Sequence, residues 1–189
     1  MRKILLAIAI SALTTSTALA VPTTYTIDDG HSYVTFAYNH MGFSIQEPRF
    51  NQVHGTVTYD GVAKIASVQV SIAANSIDIE SPALIQVLQG PDYLDVSRFP
   101  EITFKSTSVK FDGDAPAVIK GILTVKGISK PVTLRVTSFK HGPNPLTNKD
   151  EVGANVTGKI SRSAFGAGKY VPEVGDQLTL SIAVEALQQ

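Results

Sequence analysis

Eight short segments between residues 27 and 187 alternate apolar and polar side chains, and this period of two constrains the fold most. Alternation turns one face of each strand toward an apolar interior and the other toward water. Only one plausible helix interrupts the pattern. Hairpin-length connections join most neighbours, so the sheet is expected to be antiparallel. Eight such strands can close on themselves and remove the exposed edges that would otherwise recruit other chains. The expected class is therefore all-β, an eight-stranded antiparallel barrel. A two-sheet sandwich would show the same alternation, and the pattern leans toward the barrel. A barrel of this size is just wide enough for its own side chains or for one slender ligand.

The segments read as follows. Val34, Phe36 and Tyr38 share a face of the first strand, and Gly42 with Glu47-Pro48 then interrupts the chain. Val53, Gly55, Val57 and Tyr59 share a face of the second, which Asp60-Gly61 ends as a hairpin signal. Residues 67–73 alternate cleanly through Val68, Val70 and Ile72. Ile102 and Phe104 open the fourth strand, whose parity slips before Val109 and Phe111, as at a bulge. Ile119, Gly121, Leu123 and Val125 follow, then Val132, Leu134 and Val136 after Pro131. Residues 141–150, rich in Pro and Asn, read as an exposed loop. Ala154, Val156, Gly158 and Ile160 mark the seventh strand, and Leu178, Leu180, Ile182 and Val184 the eighth.

Residues 81–90 break the period. Ser81 can cap a helix, Pro82 suits its first position, and Gly90-Pro91 stops it. Leu84, Ile85 and Leu88 fall at helical spacings, so a short helix near 82–89 is expected to plug one end or form a lid. So short a helix depends on packing rather than propensity.

Residues 1–20 read as a cleavable signal peptide: Arg2-Lys3, a short apolar run from Ile4, and Ala18-Leu19-Ala20 before the cut. The run is too short to favour a membrane anchor. Residues 21–189 then form one domain, with the periplasm as the expected location. There is no Cys, so neither disulfides nor lipoprotein acylation enter the argument. Arg2 and Lys3 aside, acidic residues outnumber basic ones by two, and no long basic block invites nucleic acid.

Motifs for chemistry are sparse. His31, His40, His54 and His141 show no metal-ligand spacing, and each is expected to be a surface or hydrogen-bonded histidine. Asp28-Asp29-Gly30 beside His31 and Ser32 reads as a turn before a strand. No nucleophile elbow occurs, so neither catalytic nor metal-binding residues are assigned. The small inward residues Gly55, Gly121, Ala154 and Gly158 leave volume that a ligand or neighbouring side chains must occupy, and for the glycines close packing is the expectation.

Several stretches carry more than composition. Tyr25-Thr26-Ile27-Asp28 with His31-Ser32 and His40-Met41-Gly42 resembles the opening of the YceI-like family. Phe99-Pro100-Glu101-Ile102-Thr103-Phe104, Gly121-Ile122-Leu123-Thr124-Val125-Lys126-Gly127-Ile128 and Ile160-Ser161-Arg162-Ser163-Ala164-Phe165-Gly166 resemble its later segments. The resemblance implies a lipocalin-like eight-stranded barrel in a periplasmic polyisoprenoid-binding protein. Its ligand would be an isoprenoid or quinone-like lipid, and no other cofactor is implied. The family's helix usually opens with Arg-Asp where this chain has Ala83-Leu84, and its late motif has Asp at the place of Ala164. Head-group preference is therefore not carried over.

The expected function is a binding or carrier protein, not an enzyme, for a long-chain amphiphile that it loads and unloads at a membrane surface. The helix and residues 41–49 would flank the mouth. The strand residues expected to line the ligand are Phe36, Tyr38, Val57, Val70 and Ile72, then Phe104, Leu123, Val156 and Ile182. Leu84 and Leu88 join them from the helix. A homodimer is compatible with this reading. The alternatives are an enzyme acting on an amphiphile through His31, His40 or Asp92, or a filled barrel serving as an interaction module.

Overall fold

Strand β1 (Thr23–Ile27) pairs on one side with β5 (Val53–Asp60) and on the other with β12 (Gln177–Gln188), and this double pairing closes the sheet. The computed structural model describes residues 21–189, so the expected signal peptide lies outside the described residues. Between β5 and β12 the wall runs through β6 (Ile65–Ala73), β8 (Glu101–Asp112), β9 (Ala115–Val125), β10 (Ile128–Pro143) and β11 (Asp150–Ser161). Every pairing around the barrel is antiparallel. The fold is an eight-stranded antiparallel barrel, and closure excludes the sandwich.

The first strand of the barrel is broken. Strand β2 (Tyr33–His40) takes over from β1 along the same edge of β12, pairing Tyr33 with Ala183 through to Ala37 with Thr179. Alternation marks only the β2 half, because the β1 sequence Thr-Thr-Tyr-Thr-Ile has just two apolar residues inside the pattern. Those two, Tyr25 and Ile27, are nonetheless buried. Beyond β2 lie three short strands: β3 (Ser44–Gln46) and β4 (Arg49–Phe50), both on β2, and β7 (Ile77–Asp78) on β4.

Three register shifts set what faces inward, one of them opposite Lys110 and Phe111, where β9 has an extra residue between Pro116 and Val118. In β8 the register shifts between Ser106 and Ser108, and in β10 between Val136 and Ser138. One extra residue reverses strand parity. The β8 bulge, where the sequence parity slips, keeps Val109 and Phe111 packed against the core cluster. The β10 bulge does the same for Phe139 and aims His141 at Asp150. Its consequence corrects the expected loop at 141–150: β10 runs on to Pro143 and only 144–149 turn the chain.

The helix α1 (Pro82–Gln89) forms as its sequence dictates. The Ser81 hydroxyl accepts from the Leu84 N–H at 3.4 Å, Pro82 occupies the first turn, and the Gly90 N–H closes on the Val87 carbonyl at 3.1 Å. Its apolar face buries Leu88 at one end of the barrel.

Candidate functional site

The barrel is hollow. A cavity of about 430 Å³ runs through it, a volume in the range of small-molecule sites. Its wall is almost wholly aliphatic and aromatic, because the inward positions of each strand are Val, Ile, Leu or Phe.

All the residues expected from parity to line the ligand do face this cavity. Phe36 and Tyr38 project from β2, Val57 from β5, and Val70 with Ile72 from β6. Phe104, Leu123, Val156 and Ile182 follow on β8, β9, β11 and β12, and Leu84 with Leu88 reach it from α1. Sequence reasoning missed the contribution of the connections. Tyr93 and Leu94 come from the segment after α1, and Phe165, Tyr170 and Val174 from the segment between β11 and β12. No period marks such residues, since an irregular segment has none.

The inward glycines are not part of the wall. A Cβ at Gly121 would lie 2.4 Å from the Phe104 ring, and one at Gly158 would lie 2.6 Å from Leu134 Cδ2. Neighbouring side chains have taken the room above both, as close packing requires. At Gly55 the backbone itself intrudes: a Cβ would sit 2.0 Å from the Gln69 carbonyl oxygen, and φ is +143°.

The two ends differ. At the hairpin end, Tyr59 lies with its ring 5.1 Å from Phe139, 5.1 Å from His141 and 6.3 Å from Phe111. This aromatic layer floors the cavity. Behind it, Tyr25 donates to Asp150 Oδ2 at 2.7 Å, and His141 Nε2 lies 2.9 Å from the same oxygen. Burial, then the hydrogen bond to Asp150, raises the Tyr25 hydroxyl well above the usual phenol range. Burial pushes Asp150 upward, but the Tyr25 and His141 hydrogen bonds outweigh it and hold the carboxyl below its ordinary range.

At the other end, α1 and two long connections cover the cavity. The connection of residues 162–176 is fastened by the buried Arg162, which donates to the carbonyls of Gly175 (2.9 Å), Val174 (2.7 Å), Lys169 (2.9 Å) and Ala167. Lys126 Nζ ties both connections together, donating to Pro91 O at 2.8 Å and Gly166 O at 2.9 Å. An ion pair between Lys169 and Asp92 adds a second link. Met41 and Val87 line the cavity at this end and are also about half exposed, so they mark its rim. Of the segments expected to flank a mouth, the helix reaches this end. Only Met41 of residues 41–49 lines the cavity, and the rest of that stretch carries β3 and the start of β4 instead of a loop.

The polar candidates do not converge. His40 lines the cavity near the rim. His31 lies outside it, 2.8 Å from Asp28, and His54 is exposed 3.8 Å from Asp29. Asp92 faces Lys169. Among the described residues no group of three His, Cys, Asp or Glu could hold a metal. Within the lining, the Tyr38 hydroxyl is raised by burial and has Tyr93 and Arg162 as its charge neighbours.

The profile of the YceI-like domain matches residues 25–186. "Protein YceI" of Salmonella arizonae is 35% identical over 192 residues, spanning all of both chains. Among solved structures, BcnA of Burkholderia cenocepacia superposes with a TM-score of 0.72 at 25% identity, covering 85% of this chain and 99% of its own. A polyisoprenoid binding domain from Saccharophagus degradans, implicated in plant cell wall breakdown, gives 0.66 at 12% identity, covering 88% of this chain and 99% of its own.

Proposed function

This chain belongs to the YceI-like family, and from that premise we propose that it binds a long-chain isoprenoid or quinone-like lipid inside the barrel and carries it in the periplasm. The observation that carries the reading is the apolar lumen of about 430 Å³. The polyisoprenoid binding named for the Saccharophagus degradans domain supports the ligand class. The signal-like residues 1–20 support the location. Binding is favoured over catalysis because His31, His40 and Asp92 stand at separate places.

Energetics favour exchange with a membrane. Each CH₂ leaving water for the lumen gains about 0.8 kcal/mol. Summed over a long isoprenoid, that would pass the practical affinity ceiling of roughly −18 to −21 kcal/mol. Release into water would therefore be far too slow. A lipid already in a bilayer sits in hydrocarbon, so transfer between bilayer and barrel is nearly balanced. The carrier loads and unloads at a membrane surface, through the end covered by α1.

Native mass spectrometry of protein recovered from its own cell envelope tests this. A stoichiometric long-chain lipid is the expected result, identified after extraction. A clean apo mass overturns it.

A further inference from the structure

Strand β3, which lies on β2 outside the barrel wall, carries its apolar residue on the outer face. Tyr38 and His40 of β2 face the cavity, and opposite them in β3 stand the polar Gln46 and Ser44. Directly opposed residues of an antiparallel pair share a face. Ile45, paired with Asn39, therefore turns outward and is exposed. Between the strands the chain makes a tight turn, with φ of 55° at Met41 and 77° at Gly42. The turn is held by the Phe43 N–H on the His40 carbonyl at 3.0 Å and the Gly42 N–H on Asn39 Oδ1 at 2.7 Å. It presents Phe43 to solvent with 89% of its surface exposed. A held turn that displays Phe43 and Ile45 to solvent is the opposite of what water alone favours.

The surroundings say what this surface meets. Met41 of the same turn lines the cavity, so the exposed apolar tip is continuous with the rim. Val87 of α1 and Tyr170 of the 162–176 connection are exposed lining residues at that end, and Val171 adjoins them. Residues 32–46 and 81–91 contain no Asp, Glu, Lys or Arg. The turns at the opposite end differ: exposed Val62 stands between Asp60 and Lys64, and exposed Leu146 lies close to Lys149 and Asp150. The hairpin and helix sides of the rim therefore carry no ionised group to desolvate on entering a medium of low dielectric. The charges of the third side, Lys169 and Asp92, are paired with each other. The short β3 offers little edge for strand addition by another chain.

We infer that the β2–β3 hairpin is a membrane-docking element, which inserts Phe43 and Ile45 into the interfacial layer of a lipid bilayer and brings the cavity rim against it. The inference rests on the lipid-carrier reading and names the surface through which that carrier meets its donor. Insertion of a few apolar side chains gives a reversible contact, which is what a shuttle needs.

The chain contains no Trp, so Phe43→Trp places a single indole at the tip, which excitation at the red edge separates from the tyrosines. On addition of phosphatidylethanolamine–phosphatidylglycerol vesicles its emission is expected to shift to the blue, and lipids brominated along the acyl chain should quench it. Paired Phe43→Asp and Ile45→Asp changes should slow transfer of a fluorescent isoprenoid between vesicles by about tenfold or more. Equilibrium occupancy of the cavity should not change, and the far-ultraviolet spectrum should stay native. Unaltered emission at saturating vesicle concentration, or unaltered transfer by the Asp variant, overturns the docking element. A blue shift that depends on protein concentration without vesicles assigns the surface to a second copy and overturns it equally. Quenching by brominated lipid needs no bound isoprenoid, so failure of the cavity assignment would be seen separately, as a wild type that takes up no ligand.

Discussion

The Phe104 ring lies over Gly121 on the neighbouring strand, so close that a Cβ at Gly121 would come within 2.4 Å of its Cζ. Phe104 also lines the cavity, so the hydrogen at position 121 decides how far that ring leans into the lumen.

Gly121→Ala should therefore push Phe104 inward, costing about 1–3 kcal/mol of stability as an overpacked site does. Urea unfolding would measure the loss. Adding Phe104→Leu should recover part of it, since the smaller side chain vacates the contested space.

Filling the lumen should separate binding from folding. Val70→Trp and Val156→Trp each place an indole in the cavity that these residues now line. Ligand occupancy by native mass spectrometry is expected to fall by about tenfold or more, an affinity loss of at least ~1.4 kcal/mol. Thermal unfolding should remain cooperative. Undiminished occupancy would place the ligand outside the lumen.

The Arg162 guanidinium holds its connection through backbone carbonyls alone. Hydrogen bonds from a charged group contribute about 1.5–3 kcal/mol each, and buried acceptors left empty add to the loss. Arg162→Ala should destabilise the protein by ~3 kcal/mol or more. Amide exchange should quicken first across residues 163–175, before the barrel strands. Arg162→Lys should recover only part of this, because a single ammonium cannot span the same carbonyls.

The Tyr25–Asp150–His141 network gives stability a dependence on pH at both extremes. With the Asp150 carboxyl held low in the fold, the unfolded chain takes up that proton more readily. Its contribution is complete above the ordinary carboxylate value of about 3.9 and is lost as pH falls toward the lower folded value. With the Tyr25 hydroxyl held high, the unfolded chain loses that proton first, and stability falls as pH climbs past about 10. Tyr25→Phe should remove part of the alkaline loss in denaturant titrations. Tyr38 and Tyr59, both raised by burial, would keep theirs.

Much of the barrel was legible because a strand with one buried face writes its orientation into every second residue. Val70, Val156 and Ile182 face the lumen for that reason, and α1 followed from Ser81, Pro82 and Gly90. Strand β1 was not legible as a strand, since Thr24 and Thr26 on its outer face leave too little contrast over five residues. The bulge in β10 was equally hidden: nothing in Val136-Thr137-Ser138 announces an extra residue, yet it determines that His141 reaches Asp150. The covering connections escaped because Arg162, Lys126 and Tyr93 act through carbonyls and shape, which carry no period.

The pairing of Tyr25 and Ile27 with Gln188 and Ala186 makes a seam between the first and last described strands. The ring therefore stays open until β12 has docked against β1. Such long-range closure is slow. Trimming the last residues of β12 should thus leave a slit along the wall rather than merely a shorter strand.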